Sequence, residues 1–469
     1  MFQKMLIGGK LVGKDSAKTS IKIINPANEK VFARVPKGTV KDIDKAVKAA
    51  KKAFPAWADT PLAKRQAIVN KIADVLAANA EMLARMMTKE QGKPLAESMG
   101  EMGWTEGYLR HYASLEAKGR MVQDDDALQI EMRRVPLGVV AGICPWNFPV
   151  LVPFWKIGPA LITGNTIVIK PSPTTPVTLM KIFELCNDFV PAGVINIVPD
   201  ENDLGKALTS HPDVAKVSFT GSTETGKKIM ASSAGTVKRL TLELGGNDPA
   251  IVLPDVDVKK TAEQIFGGAF MNAGQVCMAV KRVYAHKNIY DELCNELAKL
   301  AEAVVVDDGL RQGATMGPIQ NKAQYKKVKA LIKSSKKDGK VLSGGVVKGR
   351  KGYFVKPVIV RDVKDGNDIV DKEQFGPILP VVKFSSTKDV TKQVNKSAYG
   401  LGASVWSKDA AKATKIAGKI ESGTVWVNHC VHIGPHIPMA GFKSSGLGVE
   451  QSTEGFEEYT QIQVLSVAK

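Results

Sequence analysis

The chain has 469 residues, 44% of them hydrophobic and 24% charged, so it is long enough for two or three packed units and too apolar to be a disordered polymer. Its formal net charge of +18 would suit a binder of nucleic acid or anionic membrane, but the lysines are scattered along patterns such as KDIDKAVKAAKKAF and KSSKKDGK with little aromatic interleaving. The charge is therefore read as a solvated basic surface, with no nucleic-acid and no membrane partner.

The N-terminal MFQKMLIGGKLV reads as a strand and a Gly-Gly turn, without the apolar stretch of a targeting signal. No run of about twenty apolar residues follows anywhere, so no membrane span is expected. Residues 39–116 carry helical periodicity, for instance Val40, Ile43, Val47, Ala50 and Phe54 behind Thr39 as N-cap. QDDDALQIEMRRV then supplies an acidic turn and an alternating segment that reads as a strand leaving the main body. From residue 137 the rhythm changes: LGVVAGIC, NTIVIK, VINIV, AKVSFT and RLTLEL are short β-branched runs separated by helical stretches. Such alternation predicts a parallel, helix-covered sheet, whose ligands bind beyond the carboxyl ends of the strands. A second alternation beyond residue 247 runs through PAIVL, VKRVYAH, YFVKPVIV, ILPVVKF, GASVWS and GTVWVN. The fold class is α/β. Five cysteines, Cys144, Cys186, Cys277, Cys294 and Cys430, are odd in number and not closely paired. This argues against disulfides and a Cys-x-x-Cys metal site, and for a reducing compartment, the cytoplasm.

Several segments after these strands carry chemistry. In VSFTGSTETGKKIM a strand runs through Gly221, Ser222 and Gly226 into a helix, where small residues let backbone N–H groups approach a pyrophosphate; alone, it reads rather as a plain capped helix. Lys170 ends NTIVIK and offers a cation to a ribose or phosphate, or to solvent. Glu243 lies in TLELGGNDP, where burial would raise its pKa into the range of a general base, although alternation alone points it at solvent. Asn147, held in CPWNFP between prolines, offers an amide to an oxyanion, or is simply a loop asparagine. Cys277 in GGAFMNAGQVCMAV reads, taken alone, as a packing thiol.

Together, PWNFP, KPS, FTGSTETG, LELGGNDP, GGAFMNAGQVC, EQFGP and GFKSSG resemble the signature blocks of the aldehyde dehydrogenase superfamily, in its order and over nearly the whole chain. The spacing from Glu243 to Cys277 is also similar to the family's. The resemblance implies two Rossmann-like parallel-sheet domains plus a small β oligomerisation arm. The cofactor-binding domain would comprise residues 1–116 and 136–246, the catalytic domain 247–445, and the bridging arm 117–135 and 446–469, in a homodimer or homotetramer.

The same resemblance makes Cys277 the nucleophile toward an aldehyde, Asn147 and the Cys277 N–H the oxyanion donors, and Glu243 the base that hydrolyses the thioester. It implies NAD as cofactor, held by Ile143, Trp146, Lys170, Ser172, Gly221, Ser222, Gly226, Leu244, Glu373 and Phe375, and gives Lys156 at most a supporting role. Pro173 stands where NAD-preferring members often have a glutamate, so tolerance of NADP is expected. Gln461 stands where many members have a second, proton-relaying glutamate. The substrate pocket would comprise Phe148, Val152, Trp155, Val276, Met278, Ile433 and Met439. His432 and His436 would lie nearby as loop residues, with no metal. Trp155 occupies a position where semialdehyde-using relatives often carry an arginine, which favours an apolar or aromatic aldehyde. A semialdehyde dehydrogenase, or a non-redox thiol esterase or binding protein on the same fold, are the competing readings.

Overall fold

The computed structural model describes residues 1–16 and 19–469. Two mainly parallel sheets organise it. The first has eight strands, and its centre runs in the spatial order Ile195–Ile197, Thr166–Lys170, Val139–Ile143, Val214–Thr220, Arg239–Glu243, all parallel. The N-terminal hairpin Met5–Ile7 and Lys10–Val12 closes one edge antiparallel, its turn made by Gly8 and Gly9 at φ 58° and 76°. Gly446–Leu447 closes the other edge, also antiparallel. Val139–Ile143 and Thr166–Lys170 are buried along their full length, as expected where helices cover both faces.

Local sequence explains where the helices begin and what they bury. The Thr39 hydroxyl accepts the Asp42 N–H while the Asp42 carboxylate accepts the Thr39 N–H, a capping box that starts Val40–Ala58. Ile43, Val47 and Ala50 of this helix face the sheet. Leu151–Ile162 is apolar but for Lys156 and buried throughout. Gly158 allows its close approach to Tyr112 of helix Leu95–Ala113, since a Cβ there would lie 2.4 Å from the ring. That approach fixes the depth at which Trp155 and Lys156 project.

The second sheet has seven strands, six of them parallel in the order Val358–Val363, Ile378–Phe384, Val280–His286, Asp248–Val252, Gly402–Trp406, Thr424–Val427. YFVKPVIV, expected as one strand, divides at Pro357, which has no N–H for the ladder. Val355–Lys356 pairs instead with Gly345–Val346.

A third, antiparallel sheet joins Arg120–Asp124, Leu128–Pro136 and Thr460–Ala468. Its C-terminal edge strand exposes Ile462 and Val464 at 56% and 59% on one face and Leu465 and Val467 at 40% and 45% on the other. Among the described residues no helix is long and apolar enough to cross a membrane.

Candidate active site

In the first sheet the chain moves outward in opposite directions from Val139–Ile143, and a crevice opens beyond the carboxyl ends at this reversal. A cleft of about 1460 Å³ runs from Lys206 and Ser232 at one end, past Ile143 and Thr220, to Cys277 and Trp155. Every cofactor and pocket residue expected from the sequence lines it except Gly226. Gly226 lies beneath, where a Cβ would meet Leu244 Cδ2 at 2.6 Å. Glycine there lets helix Thr223–Ser233 settle against Leu244 and bring its N-terminus to the cleft. Ser222 caps that helix by accepting the Thr225 N–H at 3.3 Å, and Gly221 lines the same lip.

Lys170 is not left to solvent: its Nζ lies 2.6 Å from Asp200 Oδ1 and is 4% exposed as a residue. Asp200 also accepts the Leu204 N–H at 2.9 Å. Pattern reading missed Asp200, which belongs to a loop with no periodicity. Exposed Lys206 and Lys228 add two cations at this end of the cleft. A helix N-terminus, a lysine with a carboxylate partner and two peripheral cations form a donor set suited to a dinucleotide.

The loop bearing Cys277 is held by unusual backbone. Asn272, Ala273 and Gly274 have φ of 50°, 55° and 71°, a left-handed run that costs energy at the two non-glycine residues. A Cβ at Gly274 would lie 2.4 Å from the Gly376 carbonyl oxygen, so glycine is required there. The run turns the chain out of helix Val258–Phe270 and presents Cys277 to the cleft, with Val276 and Met278 packed beside it. Burial pushes the Cys277 thiol up to about 12, Lys281 pulls it down, and the carboxylates of Glu243, Asp248 and Glu373 push it up further.

Asn147 stands across the cleft, its Nδ2 donating to the Gln275 carbonyl at 2.8 Å. The second hydrogen of that amide remains for a ligand. Its own carbonyl accepts from Asn272 Nδ2 at 2.9 Å and from Lys93 Nζ at 3.0 Å. Lys93 in turn pairs with Glu101 at 2.7 Å, both side chains essentially inaccessible, and sits 4.0 Å above the Phe148 ring. Glu101 also accepts the N–H groups of Val150 and Leu151, each at 3.0 Å. One buried ion pair thus fixes the Asn147 loop and the start of the following helix. Lys93→Met, which leaves Glu101 buried and unpaired, is expected to lower stability by about 3–5 kcal/mol in denaturant unfolding, with partial recovery in Lys93→Met/Glu101→Leu.

Glu243 ends its strand, 1% exposed, where alternation pointed it at solvent. The reason is tertiary: Gly446 pairs with it from the edge strand, and Cys277, Lys156 and Glu450 from distant parts of the chain lie close to it. Neither carboxylate oxygen has a hydrogen-bond partner among the described residues. Burial raises its pKa well above the usual carboxylate value, Glu450 raises it further, and Lys156 opposes both. Lys156 pairs with Glu450 Oε1 at 2.8 Å and donates to Thr220 Oγ1 at 2.9 Å, while Ser218 donates to the same Glu450 oxygen at 2.7 Å. Glu450 is therefore the second carboxylate of this site. Gln461, placed in that position from the sequence, lies exposed on strand Thr460–Ala468.

On the far side Glu373 accepts the Gly246 N–H at 3.0 Å, and Phe375, at φ 52°, meets Trp146 edge to face at 5.3 Å. At the substrate end Trp155 packs on Tyr108, ring centroids 5.8 Å apart, beside Phe148, Val152, Met278, Ile433 and Met439. Trp104 and Tyr108 of helix Leu95–Ala113 also line this end. Neither stands out in the sequence, because the apolar residues of this helix do not gather on one face, although Tyr108 is buried and Trp104 half-exposed. His432 lines the cleft and stands 5.9 Å from His429, ring to ring, while His436 lies outside the lining. Among the described residues no three or more potential metal ligands converge.

A family model described as "Aldehyde dehydrogenase family" matches residues 12–465. The chain is 40% identical over 482 residues to phenylacetaldehyde dehydrogenase of Pseudomonas fluorescens, covering 99% of this chain and 96% of that protein. It is 40% identical over 455 residues to aldehyde dehydrogenase 1A1 of Homo sapiens, covering 95% and 91%. Among solved structures, the NAD+ complex of an aldehyde dehydrogenase from Bacillus cereus matches with a TM-score of 0.96 and 38% identity, covering 100% of this chain and 97% of that one.

Proposed function

The chain belongs to the aldehyde dehydrogenase family and uses NAD, and we propose that it oxidises an apolar or aromatic aldehyde to the carboxylic acid through a covalent Cys277 thioester. The observation that carries this reading is the meeting of the Cys277 thiol and the Asn147 amide in one cleft, with the unpartnered carboxyl of Glu243 buried just outside its lining, beside Leu244 in the chain and near enough for its charge to act on the thiol. The Cys277 thiol passes its proton to solvent water, its Sγ attacks the carbonyl carbon as the C=O π pair moves onto oxygen, and the charge that develops there is taken by the free Asn147 hydrogen and the Cys277 N–H. Bound NAD supplies the hydride acceptor that turns the thiohemiacetal into a thioester. Glu243 then accepts a proton from water as that water attacks the thioester carbon, and the Cys277 sulfur leaves.

The substrate class rests on the lining. Trp104, Tyr108, Phe148 and Trp155 offer aromatic surface and no guanidinium that would fix a distal carboxylate. The similarity to a phenylacetaldehyde dehydrogenase points the same way. For the cofactor, Pro173 offers neither an acceptor to a ribose hydroxyl nor a charge to repel a 2′-phosphate, and Lys206 and Lys228 attract one, so NADP is tolerated. Five cysteines without a bridge among the described residues suit the cytoplasm.

An aldehyde panel followed by the ultraviolet absorbance of reduced nicotinamide tests both points. Arylacetaldehydes should give the highest kcat/KM, and NADP should remain within roughly a thousandfold of NAD. No cofactor reduction with any aldehyde would overturn the activity. A preference for carboxylate-bearing semialdehydes would overturn the substrate class.

A further inference from the structure

We propose that Lys281 is a positioning residue for the nucleophile, holding the Cys277 loop from behind and favouring the charged sulfur that attacks; the proposal rests on the reading of Cys277 as nucleophile. Lys281 occurs in VKRVYAH, which the sequence presents only as a strand. Its side chain is 3% exposed, and its Nζ donates to the Val276 carbonyl at 2.9 Å and to the Cys277 carbonyl. Burying an ammonium is costly unless it is paired. Two carbonyls of the nucleophile's own loop and Glu373 Oε1, at 3.8 Å, are the partners found.

The surroundings show why a cation matters there. The anions that face the thiol come from three places: Glu243 at the end of Arg239–Glu243, Asp248 at the start of Asp248–Val252, and Glu373 from its loop. Both oxygens of Asp248 are buried without a hydrogen-bonding partner, and burial raises it to about 7 with Lys281 pulling the other way. Lys327 of helix Lys322–Asp338 interacts with Glu373 and Lys281 rather than with the thiol. Cys430 is a second thiol within the field of Asp248. Among the charged groups that act most strongly on Cys277, Lys281 is the cation, set against three carboxylates. Without it, the negative sulfur would form among like charges.

The test uses the full-length protein without aldehyde or cofactor, so it does not depend on having found the right substrate. Iodoacetamide is applied from neutral to alkaline pH and alkylation of the Cys277 peptide is followed by mass spectrometry, each event forming an S–C bond and releasing iodide. Lys281→Met and Lys281→Gln should shift the Cys277 profile to higher pH by on the order of one unit, about tenfold slower at a fixed pH below the midpoint, while Lys281→Arg stays near wild type. Gln retains a donor for the two carbonyls without the charge, so it separates electrostatics from loop support and still decides the matter if the Met variant does not fold. A Lys281→Gln profile that coincides with wild type overturns the proposal. Wild-type Cys277 that resists alkylation at every pH while Cys430 reacts overturns the nucleophile reading and this proposal with it.

Discussion

Cys277→Ala should abolish aldehyde-dependent cofactor reduction, with kcat falling on the order of 10⁴-fold or more, while NAD binding measured by fluorescence titration is unchanged. The size of the loss follows from the division of labour in the cleft. Asn147 and the Cys277 N–H can stabilise an oxyanion only after a bond to carbon has formed, and Glu243 acts on an acyl group that Cys277 must first carry. Without sulfur neither has a substrate. The cofactor end is built from other elements: the Ser222-capped helix, Lys170 with Asp200, and Glu373 on Gly246. The loop's shape comes from the Asn272–Gly274 backbone and the Asn147–Gln275 bond, neither of which uses the thiol. Reduction that persists in Cys277→Ala at more than a few per cent of wild type would remove Cys277 as the nucleophile.

The contrast between what the sequence reveals and what it hides follows the range of the interactions. The runs NTIVIK, VKRVYAH and ILPVVKF agree with the strands Thr166–Lys170, Val280–His286 and Ile378–Phe384, because a buried parallel strand writes its environment into consecutive apolar residues. The cleft at the strand ends follows from the same alternation. Glu243 shows the limit: period-two alternation describes a strand with one wet face, and the closure that dries Glu243 comes from residues two hundred positions later. The second carboxylate, expected from the resemblance at the position of Gln461, is Glu450 instead, and the sequence hides it for a related reason. Both occur in a Glu- and Gln-rich C-terminal stretch, and only the meeting with Lys156, 294 residues away, distinguishes the buried acid from the exposed amide. Lys93 with Glu101 and Lys281 resemble ordinary surface charges in the sequence, because burial of a charge is legible only in three dimensions.

Glu243→Gln should separate the two halves of the reaction: an initial burst of reduced cofactor approaching one equivalent per active site, then steady turnover slowed on the order of 10²–10⁴-fold. Acylation needs Cys277 and Asn147, which the substitution leaves in place, whereas release of the acid needs a group that takes a proton from water. Wild-type Glu243 is raised well above the usual carboxylate pKa by burial and by Glu450. It therefore holds its proton through the mildly acidic range and becomes a base only as pH climbs through the folded-state pKa. Wild-type kcat should rise with pH over that window, and the Gln variant should lack this limb. Stability has the opposite sign. A group whose folded pKa is raised contributes stability fully present below its unfolded value, and that contribution is lost as pH rises through the folded value. Glutamine mimics the protonated form, so the variant should be at least as stable as wild type in thermal unfolding at alkaline pH, which excludes misfolding as the cause of slow turnover. A steady-state rate equal to wild type, or slow turnover without a burst, would show that Glu243 does not carry the hydrolytic step.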